Sequence, residues 1–125
     1  MHVSDNDAAP RAGLPGLEHE TLAGSRDGLR HLSVWRNTIA AGAATPPHRH
    51  DCEEVVIVES GHGELHIGGT IERFGPNTTL TIPPNVDHQI VNAGAEPIRL
   101  VAVFSMTPVA VVLPDGQPFP LPWPS

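Results

Sequence analysis

The sequence contains no lysine and no tyrosine, and a single cysteine, Cys52. Without lysine there is no amine for a Schiff base or a lysine general base. Without tyrosine no phenol can act as acid, base or radical. One cysteine excludes an intrachain disulfide, and nothing in its use points to an oxidising compartment. No run approaches the roughly 18 to 20 consecutive apolar residues of a membrane span. Met1 to Gly13 is polar and lacks the basic start and apolar stretch of a leader, so a cytoplasmic protein is expected. Positive charge is also scarce: the 7 cationic side chains, all arginine, face 14 acids, for a net charge of -7. A surface of that sign disfavours phosphate backbones and anionic lipid, so neither nucleic acid nor membrane is an expected partner. The chemistry left to this chain is that of histidine, carboxylate, arginine or a bound metal.

A chain of 125 residues suits one domain with a modest core. Its 14 prolines and 12 glycines are spread at short intervals, and the segments between them are rich in Val, Ile, Leu and Thr. This is strand and turn composition. Strands are predicted at about 17–23, 30–41, 54–60, 63–67, 71–74, 78–82, 88–93, 98–105 and 108–113. No stretch carries a 3.6-residue apolar repeat, so helix is limited to single turns. Many short strands at regular spacing predict an all-β sandwich or barrel. Residues 1–16 hold little apolar material and are expected to be mobile, while 17–113 form the barrel. The proline-rich tail, 114–125, carries Phe119, Leu121 and Trp123 and is expected to be extended but docked. Its aromatics have the outer wall, the mouth or a second subunit to bury against. A dimer contact is favoured among these, hence a homodimer.

The informative part is the run Gly42-x5-His48-x-His50-x3-Glu54-x6-Gly61, followed by Pro83-x-Asn85-x2-His88-x3-Asn92. On a strand, residues two apart point to the same face about 6 to 7 Å apart, so His48 and His50 can reach one ion. Straight strand would carry Glu54 roughly 13 Å past His50, too far for ligand bonds of about 2.0 to 2.2 Å. The chain is therefore expected to bend at Asp51 to Glu53. His88 opens a later strand just after the Pro83-Pro84-Asn85 turn and supplies a third imidazole. Three histidines and a carboxylate suit one divalent first-row ion such as Fe, Mn, Ni, Cu or Zn.

These residues resemble the cupin superfamily, in particular small single-domain cupins. The first cupin motif, G(X)5HXH(X)3,4E(X)6G, is met by Gly42, His48, His50, Glu54 and Gly61. The second, G(X)5PXG(X)2H(X)3N, is met by Pro83, His88 and Asn92, with Asn77 and Asn85 where the pattern has glycine. Asparagine is the non-glycine residue that best tolerates the left-handed backbone such turns need. The resemblance spans residues 30–106, with its motifs at 42–61 and 77–92. It implies a double-stranded β-helix, or jelly roll, holding one metal on His48, His50, Glu54 and His88. It does not single out a reaction, since cupins include dioxygenases, decarboxylases, isomerases, cyclases and binding domains.

Other residues are assigned around this centre. Val56, Val58 and Ile90 share strand parity with Glu54 and His88 and are expected in the pocket wall, with Trp35, Ile39 and Phe104 as further candidates. Cys52 reads as a small buried side chain rather than a fifth ligand. His62 and His66 are expected to face solvent. Arg49 should point away from the ion and pair with an acid. Arg30 and His31 read as solvent-facing at a strand start. An octahedral ion with four protein ligands keeps two adjacent positions for a substrate with paired oxygens, or for a substrate oxygen and O2. The leading expectation is a dioxygenase of the quercetinase or diketone-cleaving type, with Glu54 as the base. The alternatives are a redox-neutral isomerase or lyase and a non-catalytic small-molecule-binding cupin.

Overall fold

In a computed structural model, which describes residues 2–125, the chain is built from nine strands and two short 3-10 turns at Asn6–Ala8 and Ser25–Asp27. The strands are β1 (Arg11–Leu14), β2 (Leu17–Ala23), β3 (Ser33–Ile39), β4 (Glu54–Ser60), β5 (Gly63–Ile67), β6 (Thr70–Phe74), β7 (Thr78–Ile82), β8 (His88–Val91) and β9 (Ile98–Phe104). They form a six-stranded sheet in the order β1-β2-β3-β9-β4-β7 and a three-stranded sheet in the order β6-β5-β8. All pairings are antiparallel. The two sheets form the jelly-roll barrel that the motifs implied.

Alternation creates the core. Along β4, Glu54, Val56 and Val58 are buried while Val55 and Ile57 are exposed, and along β9 Ile98, Leu100, Ala102 and Phe104 are buried. Register aligns these inward sets, with Glu54 opposite Phe104, Val56 opposite Ala102 and Val58 opposite Leu100. Glu54, the one polar residue of these two inward rows, thus lies beside Phe104 at one end of the barrel, and apolar residues fill the rest.

The turn residues of the two motifs have visible structural work. Gly61 sits at φ 92, and a Cβ there would lie 2.6 Å from the Pro97 carbonyl oxygen. Only glycine fits so close an approach. Asn77 and Asn85 adopt φ 59 and 62, the left-handed conformation expected of them. Asn92 is fully buried; its Nδ2 donates to the carbonyls of Ile39 and Glu96, and its Oδ1 accepts from Gly94 N–H. It holds the end of β3 against the turn that leads into β9.

Two expectations at the chain ends are corrected. Residues 11–14 are a paired strand rather than part of a mobile segment: Ala12 and Leu14 turn inward, and the alternation is simply too short to register as a strand pattern. Residues 108–113 make no regular strand. There Val112 bridges Arg49 on one side and Pro118 on the other, because the chain folds back on itself at Pro114 to Gly116. The tail then crosses the barrel mouth. Phe119, Leu121 and Trp123 pack against this chain's own core at the mouth, one of the places weighed for them.

Candidate metal centre

His48 and His50 lie on the crossing from β3 to β4, where the backbone runs beside β8. His48 and His88 exchange both amide hydrogen bonds, at 3.0 and 2.8 Å, so their side chains stand directly opposite each other. The ring centroids of His48 are 4.9 Å from His50 and 4.4 Å from His88. One nitrogen from each of the three rings lies within 4.8 Å of the others. Asp51 and Cys52 form the expected bend. It returns Glu54 to the cluster, with Oε1 3.5 Å from His50 Nε2 and 3.2 Å from His88 Nε2. Two donors at right angles, each ~2.1 Å from one ion, stand about 3 Å apart. The structure therefore brings His48, His50 and His88 within reach of one ion, with Glu54 set against His50 and His88.

The second nitrogen of each ring decides what the first can do. Nδ1 of His48, His50 and His88 lies 2.6, 2.9 and 2.9 Å from the carbonyl oxygens of Pro46, Ala110 and Val86. A carbonyl only accepts, so each Nδ1 carries the proton and donates it. Every Nε2 is then left to face the cluster. His50 Nε2, His88 Nε2 and Glu54 Oε1 are buried without hydrogen-bond partners, because the short contacts among them are not aligned as hydrogen bonds. An orphaned buried polar atom costs on the order of 1–3 kcal/mol. Three of them in one cluster fit a bound cation.

Charge follows the same geometry. Burial lowers His48 to a pKa of about 4, helped by repulsion from His88 and opposed by the Pro46 carbonyl. Burial also lowers His50, against the pull of Glu54 and the Ala110 carbonyl. His88 goes the other way: burial acts to lower it, but the Glu54 carboxylate and the Val86 carbonyl outweigh that, and its pKa is raised. Burial thus keeps the His48 and His50 rings toward their neutral, lone-pair-bearing form, whereas the Glu54 carboxylate favours the charged form of His88.

The cluster forms one side of a cavity in the barrel mouth. Trp35, Ile39, Ile90 and Phe104 line it as expected. Val56 and Val58 do not: they share the inward face of Glu54 but lie two and four residues farther along β4, where the sheets close, and they are buried in the core. Parity gives the face of a strand and says nothing of depth along it. The wall instead includes Leu17, Asn37, Thr45 and Leu100, together with the tail's Leu121 and Trp123.

The sequence model of a family described as auxin binding protein matches residues 3–122, nearly the whole chain. The chain belongs to the auxin-binding protein family. Among its relatives, auxin-binding protein 1 of Arabidopsis thaliana is 37% identical over 111 residues, covering 81% of this chain and 56% of that protein. Auxin-binding protein T85 of Nicotiana tabacum is 38% identical over 120 residues, covering 86% of this chain and 64% of that protein. The chain thus spans under two thirds of the length of these relatives. Among solved structures, an RmlC-like cupin from Shewanella frigidimarina superposes with a TM-score of 0.76 at 22% identity, covering 86% of this chain and 93% of that one. That likeness bears on fold, and it agrees with the cupin resemblance: this auxin-binding family member is a small cupin domain.

One buried polar residue of this auxin-binding family member was not singled out from the sequence. His19 on β2 is 1% exposed. Its Nε2 donates to Thr21 Oγ1 at 2.7 Å, and that hydroxyl donates to the Pro124 carbonyl at 2.8 Å. Its Nδ1 meets the Asn37 side-chain amide at 2.8 Å, and its ring stacks on Trp123 with centroids 3.9 Å apart. The signal available was parity, since His19 lies between the inward Leu17 and Thr21. Burial lowers its pKa from 6.5 to about 4, opposed by the Asn37 contact. The unfolded chain therefore binds more protons than the folded chain between those values. This contribution is complete above about pH 6.5 and is lost as pH falls toward 4, about 3 kcal/mol in all. Urea unfolding at pH 7 and pH 4.5 should show a smaller acid loss in His19→Gln than in the native chain; equal losses would refute the assignment.

The remaining sequence assignments separate cleanly. Arg49 points away from the cluster and pairs with Asp87 at 3.1 Å. Cys52 is buried, and burial together with the nearby Glu54 carboxylate pushes its thiol pKa up, so it is a protonated, unreactive side chain. Arg30, His31 and His62 are exposed. His66 is half-buried and contacts Glu64 at 3.0 Å, away from the metal cluster.

Proposed function

We propose that this chain is a metal-dependent binding protein for a small carboxylic acid with an apolar, ring-sized body. The observation that carries this reading is the one-sided polarity of the cavity. Its titratable lining side chains, among the described residues, are His48, His50, Glu54 and His88, and most of the rest is aromatic or aliphatic. A divalent ion held by His48, His50 and His88 beside Glu54 would supply Lewis-acidic charge to an oxygen ligand. The protein's own part is to hold the rings by their Nδ1 protons, to exclude water with Trp35, Phe104 and Trp123, and to offer a flat apolar slot for the ligand's body. The indole N–H groups of Trp35 and Trp123 are buried without acceptors, and a polar ligand atom would supply one. That the relatives are named for binding auxin supports a small-molecule ligand.

The dioxygenase reading takes Glu54 as base, and an isomerase or lyase would likewise need an acid–base group at the cavity. Glu54 is a buried member of the donor cluster, and among the described residues no titratable group outside that cluster lines the cavity to share acid and base roles. This favours binding over turnover. Calorimetric titration of indole-3-acetic acid into zinc-loaded protein should give a saturable one-to-one isotherm. It should vanish after EDTA treatment and weaken strongly with indole-3-ethanol, which lacks the carboxylate. Equal binding with and without metal would defeat the proposal, as would no binding at millimolar ligand.

A further inference from the structure

Arg49 is left unused by that reading, yet it stands between two of the donors. Its Nη1 lies 3.1 Å from Asp87 Oδ1, and Asp87 directly precedes His88. The same nitrogen donates toward the carbonyl oxygens of Leu113 at 3.2 Å and Pro114 at 3.4 Å. The backbone of Arg49 pairs in both directions with Val112, at 2.8 and 3.0 Å. One residue on, His50 Nδ1 donates to the Ala110 carbonyl. Residues 110–114 are thereby stitched to the strip that carries His48 and His50, and through Asp87 to His88.

This strip is the root of the tail. Leu113 N–H donates to Gln117 and Phe119 N–H to Val111, each at 2.9 Å, which folds residues 111–119 into a hairpin beside the mouth. Phe119, Leu121 and Trp123 then close the cavity. The space left is about 60 Å³, room for only a handful of waters at roughly 10–15 Å³ each. A ring-bearing ligand therefore needs the mouth to give. The Arg49 and Asp87 side chains are 27% and 46% exposed, so their ion pair adds little to stability. Its value is positional.

We propose that Arg49 is a positioning residue that couples the donor cluster to the hairpin, so that filling the metal site tightens the hairpin over the cavity mouth. The proposal rests on the metal reading above. An ion on Nε2 polarises His50 and strengthens its Nδ1–H bond to Ala110, while fixing His88 holds Asp87, and through it Arg49, in register with the Leu113 and Pro114 carbonyls.

The test is Co(II) titration of the whole chain together with amide exchange of the hairpin in the apo and Co(II)-loaded states. In the native chain, metal should slow exchange at Val112, Leu113, Gly116 and Phe119 by about tenfold or more. Arg49→Gln should keep one Co(II) per chain, bind it about tenfold more weakly, and lose most of the metal-dependent protection. Arg49→Lys, which keeps the charge but not the fork, should fall between. Asp87→Asn serves as the second variant: it should weaken Co(II) binding while the apo hairpin exchanges at the native rate. Native affinity and native protection in Arg49→Gln would overturn the proposal. So would hairpin exchange that is faster in both states with metal affinity unchanged, the mark of a merely structural role. A native chain that binds Co(II) with no change in the hairpin refutes the coupling alone, whereas a native chain that takes no Co(II) refutes the metal reading as well.

Discussion

Replacing both His48 and His50 with alanine is expected to abolish stoichiometric metal binding. Loss of a residue that only supports a ligand costs about 10- to 100-fold in metal affinity. Losing two donors outright should exceed that range. The second readout is stability. An ion present at a thousandfold above its Kd adds about 4 kcal/mol to a fold that binds it only when native. Zinc should therefore raise the melting temperature of the native chain and leave the variant unmoved. The metal-free variant should still fold, because the core lies deeper in the barrel: Val56, Val58 and Ile98 are each at most 1% exposed and none is altered. Elemental analysis of purified protein decides the matter, and full occupancy in the variant would sink the ligand assignment.

Trp123→Ala is expected to be the most damaging single change in the tail. Trp123 is 8% exposed, stacks on His19 and meets Trp35 edge-on with centroids 5.5 Å apart. Truncating a buried tryptophan typically costs 3–5 kcal/mol. At the barrel mouth the neighbours can relax, so about 3 kcal/mol is expected from the urea midpoint. Trp35 would remain as the sole tryptophan, and its fluorescence should become more open to acrylamide quenching. His19 would gain water and its acid sensitivity should shrink, which ties this result to the pH measurement. A loss below about 1 kcal/mol with unchanged quenching would mean that the tail is not held in the mouth.

Much of the site could be read along the chain because the ligand residues are close in sequence and flanked by turn residues with no alternatives. His48 and His50 share a face by strand periodicity, and Glu54 reaches them only through a bend, which falls at Asp51 and Cys52. Asn77 and Asn85 could stand for glycine because they tolerate positive φ, and they adopt it. The misplacements have one cause. Val56 and Val58 were assigned by parity, which is a local property, whereas depth in a barrel depends on which strands lie opposite. The same holds for His19 and for Asn37, whose neighbours are more than a hundred residues away in the tail or eighteen residues away across a strand pair.

The sequence by itself determined the all-β class, the histidines that cluster, the bend that brings Glu54 to them and the turns that frame them, since each follows from the periodicity and backbone preferences of adjacent residues. Only the tertiary structure decided where the tail goes, which side chains wall the cavity and how Arg49 joins the donors to the mouth. Those depend on contacts between segments far apart in the chain, and no local pattern encodes the distance between them.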